Sequence, residues 1–257
     1  MAKWTAFPYS DANYTLTSAA LKKAWPRLHT GDAEPLPKDA ALLAAWALFH
    51  AGEFLPAHDA GLKLGGTGIT VANKAQSIYA TYLEKSEKTR LAMFQEVAAR
   101  AEAQAAADPG NANAHYWMAY ALGRYSQGIS VAKALTQGLG SKVKGALETT
   151  IKLAPQHADA HVALGAFHAE VIDKVGKLLG RTQGADAATG LKLFQQAIKL
   201  NPASAIALVE YANGMVMLEG EKRMKEAEKL YAQAAACVAA DAMERLDIEM
   251  AKAELED

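Results

Sequence analysis

The hydrophobic and polar positions of this chain follow a helical pattern nearly everywhere. Alanine, leucine, lysine and glutamate dominate, and β-branched residues rarely alternate with polar residues over five or more positions. The four dominant residue types favour helices, whereas strict alternation would indicate a half-buried strand. Phe194 and Ala197, three positions apart, share one face of a predicted helix. The pattern therefore predicts an all-α protein.

The two ends of the chain differ from its middle. Four prolines interrupt the first 38 residues, and between them the pattern predicts one helix over residues 17–28. Aromatic side chains are concentrated in this segment: Trp4, Phe7, Tyr9, Tyr14 and Trp25. We expect them to cover the first helix pair as a cap, an aromatic docking site for a partner being the alternative. Residues 1–38 thus form a predicted arm or cap on a single helical domain, residues 39–257, which ends in an exposed, acidic helix.

Three windows that contain a proline can be laid over one another. They read DPGNANAHYWMAYALG, APQHADAHVALGAF and NPASAIALVEYANGM, and their prolines are Pro109, Pro155 and Pro202. Alanine stands three and five residues after each proline, and a small residue stands ten after it. Proline suits such a turn because it restricts the residue before it and its own ring can begin the next helix. The windows predict an array of helical hairpins in which the small residue marks a helix contact.

These windows resemble the tetratricopeptide repeat (TPR) family over residues 94–219. The resemblance is carried by the proline, the small residue ten positions later, and the Phe194, Ala197 pair before Pro202. The prolines are 46 and 47 residues apart, whereas the family's unit is about 34 residues. Longer units are also found in divergent relatives that the chain resembles, the TRAP-transporter T component and the regulator of microtubule dynamics proteins. The resemblance implies an α-solenoid that binds a protein or peptide in its concave groove.

If the family's geometry holds, the first helix of each hairpin lines that groove. The resemblance then places a mixed polar, aromatic and apolar set of side chains there: Asn113, Tyr116, Tyr120, Arg124, Asp159, Glu170, Asn213 and Met217. Tyrosine and arginine concentrate binding energy at interfaces, and methionine adapts to varied apolar surfaces. The lysines and asparagines by which some family members hold a C-terminal carboxylate are mostly missing here.

Composition limits the kinds of partner. The chain has 257 residues, of which 51% are hydrophobic, and its 27 Lys and Arg against 28 Asp and Glu give a net charge of −1. We therefore expect no general attraction to nucleic acid and, without a long apolar run, no membrane insertion. The single cysteine, Cys237, fits a reducing compartment, and we expect a cytoplasmic protein.

A second hypothesis concerns four side chains on one predicted helix. His157 and His161 are four residues apart, His168 follows seven later, and Glu170 lies beside it. This spacing superficially suits zinc or a general base. The positions of His161 and His168 are those that the repeat uses for packing, and the helical protease motif is absent. We therefore predict no metal site and no cofactor, and interpret the histidines as structural.

Two glycine-bounded segments suggest an anion-binding rim. Residues 123–128 and 180–184 each carry one arginine with a hydroxyl and an amide, and each is interpreted as the end of a helix. The candidate ligands are Arg124, Gln127, Arg181 and Gln183. Arginine presents a planar fork of donors to carboxylate or phosphate, whereas the structural alternative is a glycine that ends a helix.

Three functions follow from this pattern. The leading hypothesis is a non-catalytic scaffold or adaptor that binds a protein or peptide in its concave groove. The alternatives are a small-molecule or metal-binding accessory protein that uses the histidine face and the Arg124 and Arg181 segments, and a self-assembling structural protein. Catalytic motifs such as Gly-x-Ser-x-Gly and His-Glu-x-x-His are absent from the sequence, so we expect no enzyme.

Overall fold

All regular structure in residues 4–256, the part of the chain that the computed structural model describes, is helical. In chain order the α-helices are α1 (Ser18–Leu28), α2 (Ala40–His50), α3 (Phe54–Leu64), α4 (Gly68–Tyr82), α5 (Glu87–Ala107), α6 (Ala112–Ile129), α7 (Val131–Thr136), α8 (Leu139–Leu153), α9 (Ala158–Thr182), α10 (Ala187–Leu200), α11 (Ala205–Glu219), α12 (Met224–Ala235) and α13 (Ala242–Glu256). Short 3-10 helices span Ala12–Tyr14 and Glu221–Arg223. The predicted all-α fold is confirmed. Within the described residues no helix is both long enough and apolar enough to cross a membrane.

The three prolines stand at equivalent turns between helices. Each follows the end of one helix by two residues, and the next helix begins three residues after it. The residue before that helix caps its N-terminus: Asn111, His157 and Ser204 accept hydrogen bonds from the backbone N–H groups of Ala114, Ala160 and Ala207. Such caps satisfy donors that the first helical turn leaves free. The repetition seen in the sequence is thus a repetition of turn and cap.

The small residue ten positions after each proline lies at a helix contact, as predicted. Ala119 and Ala212 are fully buried, and a Cβ atom added at Gly165 would lie 3.0 Å from the ring of Phe194. Phe194 is itself fully buried between α9 and α11. A larger residue at position 165 would force this ring away, so the small side chain sets how closely α9 and α10 approach.

An insertion that occurs twice accounts for the long units. Ser130 and Gly176 each lie 21 residues after their proline and have φ angles of 85° and 79°. Each ends a long first helix and precedes a short helical turn, which is α7 in one unit and the last part of α9 in the next. Gly138 and Gly184, each 29 residues after the proline, also have positive φ. The third unit, after Pro202, ends its first helix earlier, at Gly220.

The N-terminal aromatic side chains pack against α2–α4. Trp4 stacks on Tyr79 with ring centroids 4.3 Å apart, and Phe7 meets Phe54 edge-on. Trp25 belongs to the same buried cluster and donates a hydrogen bond from its indole nitrogen to the carbonyl oxygen of Glu34. These rings pack on the first hairpin, whereas Tyr9 is 36% exposed, and a capping role for residues 1–38 stays a prediction.

The last helix, α13, is not the exposed cap that the sequence pattern predicts. Its residues Ala242 and Leu246 belong to the N-terminal cluster, whereas Ile248 and Ala251 belong to a cluster with α11 and α12. All four side chains are at most 4% exposed. The expectation was wrong because α13 is apolar on two faces and closes the array, joining its C-terminal end to its N-terminal end.

A candidate binding cavity on the inner face of the array

A cavity of about 160 Å³ lies on the inner face of the array. One wall consists of the first helices of the last three hairpins, α6, α9 and α11, and the opposite side is closed by α4, α13 and the segment that follows α1. The exposed side chain of Gln127 lies on its lining, so the cavity reaches the surface near the end of α6. At the other end Gly31 and Asp32 form its floor, where the backbone N–H of Asp159 donates to the carbonyl oxygen of Gly31.

The lining is acidic. Six carboxylates line the cavity, but among the described residues only two cationic side chains, Lys74 and Arg124, do so. The carboxylates are Asp32, Asp159, Glu170, Glu210, Glu244 and Asp247. Because the walls have a low dielectric constant, this excess makes the potential inside the cavity negative.

Three of the six carboxylates have a cationic partner. Asp32 accepts a hydrogen bond of 2.6 Å from Lys74, and Glu210 lies 3.4 Å from Arg124. Glu244 accepts two hydrogen bonds, of 2.5 and 3.0 Å, from the guanidinium of Arg27. These pairs fix the side chains in place and neutralise part of the charge.

The other three carboxylates have no cationic partner among the described residues. Asp159 forms no side-chain hydrogen bond there, Glu170 accepts one from the Gln127 amide, and Asp247 accepts one from the Tyr82 phenol. Burial raises the pKa of Asp159 and of Glu170 to about 7, and the charges of Asp32 and Glu210 respectively add to the rise. Burial and the neighbouring acids raise the pKa of Asp247 to about 8. Near neutral pH these groups therefore stay partly protonated.

Aromatic and aliphatic side chains complete the walls. The guanidinium of Arg124 lies over the ring of Tyr120, 5.3 Å from its centroid, and Tyr116 and Trp117 pack beside it. Val131, Leu135, Val143, Leu147 and Phe167 add apolar surface toward α7 and α8. A ligand with an aliphatic stem and a positive group would match both parts of the lining.

The structure separates the predicted groove residues into three groups. Tyr116, Tyr120, Arg124, Asp159 and Glu170 line the cavity. Asn113 is buried behind it, where its side-chain amide donates to the carbonyl oxygen of Asp32 and to the Glu34 carboxyl. Asn213 accepts a hydrogen bond from the Tyr231 phenol and Met217 is 36% exposed, and neither lines the cavity.

The structure does not gather the three candidate histidines of α9 into a cluster. His157 caps the helix through Nδ1, and its Nε2 lies 3.0 Å from the Asn113 amide oxygen. His161 donates from Nδ1 to the carbonyl oxygen of His157, and His168 accepts from the backbone N–H of Asp186. Within residues 4–256 no group of three His, Cys, Asp or Glu side chains is arranged to hold a metal ion. Glu170, the fourth candidate, faces the cavity.

The two arginine segments are not equivalent. Helix α6 continues through Gly123 and Gly128 and ends at Ile129, one residue after the first segment, so neither glycine terminates it. The Leu91 side chain packs where a Cβ atom of Gly128 would lie, which accounts for a glycine at this helical position. The second segment does end a helix, α9, and its Arg181 is exposed and off the cavity lining. An anion-binding rim stays a prediction, and the acidic surroundings of Arg124 disfavour it.

Sequence reasoning missed the residues that close the cavity from the N- and C-terminal ends. Asp32, Lys74, Tyr82, Glu244 and Asp247 all lie outside the three aligned windows. One signal was available for Lys74, the only charged residue of α4, which is fully buried. The acids of α13 gave no such signal, because acidic residues on a terminal helix are ordinarily solvated.

Comparisons with known proteins agree with the fold. A family model described as regulator of microtubule dynamics protein 1-3 matches residues 70–254, more than half of the chain. The crystal structure of TTC0263, a thermophilic TPR protein in Thermus thermophilus, is similar with a TM-score of 0.57 and 16% sequence identity, and the match covers 83% of this chain and 97% of that chain. No curated protein matches the chain. The predicted TPR-like fold and the predicted resemblance to the regulators of microtubule dynamics are confirmed.

Proposed function

The chain belongs to the regulator of microtubule dynamics protein 1-3 family, and from this membership, the TPR-like fold and the inner cavity we propose that it is a non-catalytic scaffold which receives an extended segment of a protein or peptide partner in that cavity. Helical repeat folds of this kind generally mediate protein interactions. The family is named for the regulation of microtubule dynamics, which requires contact with other proteins. The single cysteine supports a cytoplasmic location.

One observation carries the proposal. The inner faces of α6, α9 and α11, which the repeat aligns, converge on one cavity of about 160 Å³ that reaches the surface at Gln127. A cavity of this size admits a narrow element such as a side chain or a single extended strand, rather than a helix about 10 Å across. Closure by α13 thus favours a slender segment over a folded domain.

The same closure supports a second candidate, a free small molecule. A ligand enclosed on both sides buries most of its own surface, as small-molecule ligands usually do. The two candidates require different probes, a peptide and a small compound. They share the cavity and therefore the same blocking variant.

A glycine on the cavity wall provides the test. Gly123 lies in α6, and a Cβ atom added there meets no atom within 4 Å. The variant Gly123→Leu should therefore fold and fill the cavity, because leucine favours a helix more than glycine does. Peptides selected from a random display library on the wild-type protein should bind Gly123→Leu at least tenfold more weakly, as measured by isothermal titration calorimetry.

Gly145→Leu is the matched control. Gly145 is exposed on α8, has equally free space around its added Cβ, and does not line the cavity. Peptides should bind this variant as they bind the wild type. A selection that enriches no peptide, or enriched peptides that bind all three proteins equally, would refute the proposed function.

A further inference from the structure

The unpaired carboxylates of the cavity occupy two places along α9. Asp159 and Glu170 are eleven residues apart, which is three helical turns, so both face the cavity and are separated by about 16 Å along the helix axis. Asp159 lies at the floor beside Gly31, where an added Cβ atom would be 2.5 Å from its carboxylate. Glu170 lies near the mouth, where it accepts the hydrogen bond from Gln127.

Each place carries a pair of acids. Toward the floor, Asp159 on α9 and Asp247 on α13 line the cavity from opposite sides, and the charge of Asp159 adds to the raised pKa of Asp247. At the mouth, the charge of Glu210 acts on Glu170 in the same way. The resident cations neutralise these pairs only in part, because Lys74 is hydrogen-bonded to Asp32 and Arg124 is paired with Glu210, which leaves Asp159, Asp247 and Glu170 without a cationic partner among the described residues.

Asp247 shows in addition that the lining is incomplete. The residue is 4% exposed and lines the cavity, yet only one of its carboxylate oxygens has a partner among the described residues, the Tyr82 phenol. Asp159 has no side-chain partner at all among them. A buried carboxylate normally has a hydrogen-bond donor for its oxygens or a counter-charge. Asp247 is such a buried group, and Asp159, which is partly exposed, faces the same cavity, so each leaves an oxygen without a partner among the described residues where a donor from outside the chain can reach it.

We propose that the cavity binds a flexible organic cation with two positive groups, one between Asp159 and Asp247 at the floor and the other beside Glu170 and Glu210 at the mouth. Ammonium and guanidinium groups supply both the charge and the donors that these oxygens lack. The tyrosine rings and the aliphatic side chains between the two places suit the methylene chain that links the charges. This inference rests on the proposed function, whose ligand it specifies.

Two sources present this chemistry. In an extended peptide, residues four positions apart point to the same side and lie about 13 Å apart, so lysines or arginines at that spacing, with their flexible stems, would reach both acid pairs. A free linear polyamine carries the same groups on a thinner chain. The probes are therefore the peptide acetyl-Gly-Lys-Gly-Gly-Gly-Lys-Gly-amide, the same peptide with norleucine in place of both lysines, and spermine.

The experiment is calorimetric titration of the full chain with each probe. We expect the lysine peptide or spermine to bind. Replacement of both lysines by norleucine should abolish binding of the peptide. The variant Gly123→Leu should bind neither the lysine peptide nor spermine. Asp159→Asn, Asp247→Asn and Glu170→Gln should each weaken binding at least tenfold, since each removes a charge from an enclosed site. Glu228→Gln, on the exposed face of α12, should leave it unchanged.

The pH dependence adds an independent signature. Cation binding requires the ionised carboxyls, and the pKa values of Asp159, Glu170 and Asp247 are raised to about 7, 7 and 8. Affinity should therefore rise between pH 6 and pH 8, with release of protons that appears as a dependence of the heat on the buffer. The nearby Lys74 and Arg124 keep their charge over this range, and the Tyr82 phenol, with its raised pKa, stays neutral.

The outcomes separate this inference from the proposed function. Library peptides that bind in the cavity without needing any basic residue would overturn the cationic ligand and leave the scaffold role standing. Spermine that binds in the cavity while no peptide does would support the cationic ligand and overturn the peptide-binding role. Binding of neither probe, or spermine binding that Gly123→Leu leaves intact, would overturn the inference.

Discussion

Five buried side chains form one hydrogen-bonded chain beside the cavity floor. The Nδ1 atom of His29 lies 2.9 Å from Asp32, the Nδ1 atom of His50 lies 2.7 Å from Asp241, and the two Nε2 atoms face each other at 3.2 Å. Lys74 donates to the other oxygen of Asp32 over 2.6 Å. The chain connects the segment after α1 to α2 and to the start of α13.

Both carboxylates of this chain are ionised. Burial alone would raise the pKa of Asp32, but Lys74 and His29 hold it well below its ordinary value, and His50 likewise lowers that of Asp241. Both imidazoles can therefore donate through Nδ1 to a carboxylate. Burial lowers the pKa of His29 to about 4, so Lys74 is the cation that balances the charge of Asp32.

Lys74→Met tests this charge balance. The methionine side chain would fit against the rings of Trp46 and Phe49, over which the ammonium now lies, but the carboxylate of Asp32 would lose its cation. Breaking a buried pair in this way costs about 3–5 kcal/mol of unfolding free energy, which urea denaturation can measure. The double variant with Asp32→Asn should recover part of the loss.

The control is Lys63→Met on the exposed face of α3, which should change the unfolding free energy by less than about 0.5 kcal/mol. If the double variant proved no more stable than Lys74→Met alone, the loss would come from packing or the ammonium's other contacts, and the charge-balance argument would fail.

At the scale of helices, the turns were predictable and the breaks were not. Proline at 109, 155 and 202 restricts the backbone wherever it occurs, so the three turns could be identified from local sequence. The break in the helix at Ser130 could not be predicted, because a serine in the sequence gives no sign of a positive φ angle. Gly123 and Gly128 suggested a break in the helix, but α6 continues through both. Gly128 makes room for the Leu91 side chain, and in the sequence such a glycine cannot be distinguished from one that ends a helix.

Ser130→Gly should stabilise the protein. Ser130 has φ 85° and ψ 126°, a region that strains any residue with a Cβ atom, and the equivalent residue of the next unit is Gly176. Relief of this strain is worth about 1–3 kcal/mol, and the larger entropy of glycine in the unfolded chain offsets about 0.4–1 kcal/mol of it. Urea denaturation should therefore show an unfolding free energy higher by about 0.5–1 kcal/mol.

Ser126→Gly is the control for Ser130→Gly: the same substitution at this position should destabilise the protein. Ser126 is an ordinary helical residue of α6, one turn before the break, so glycine there should lower the unfolding free energy by about 0.5–1 kcal/mol. Loss of stability in both variants would show that Ser130 is not strained.

At the scale of the whole molecule, closure of the array decides both the fold and the site. In an open repeat array each unit contacts only its neighbours, so local sequence can predict most of the packing. Here Asp241, the residue before α13, is hydrogen-bonded to His50. On α13 itself, Glu244 accepts a hydrogen bond from Arg27 and Asp247 accepts one from Tyr82. These contacts join residues that are far apart in the sequence, and no local pattern in α13 indicates them. The side of the cavity formed by α6, α9 and α11 could be predicted because these helices belong to the repeat. The opposite side could not, because it forms only when α13 packs against the N-terminal end of the array.

Leu246→Ala tests whether the ends of the array are energetically coupled. Leu246 is 4% exposed within the N-terminal cluster, so its truncation should cost about 2–5 kcal/mol. If α13 holds the ring closed, amide hydrogen exchange measured by mass spectrometry should accelerate in α1 and α2 as well as in α13. The same change at Leu255, which is 47% exposed on the same helix, should leave exchange unchanged. Acceleration confined to α12 and α13 would instead mean that the array behaves as an open chain of neighbours, and that the cavity does not depend on its closure.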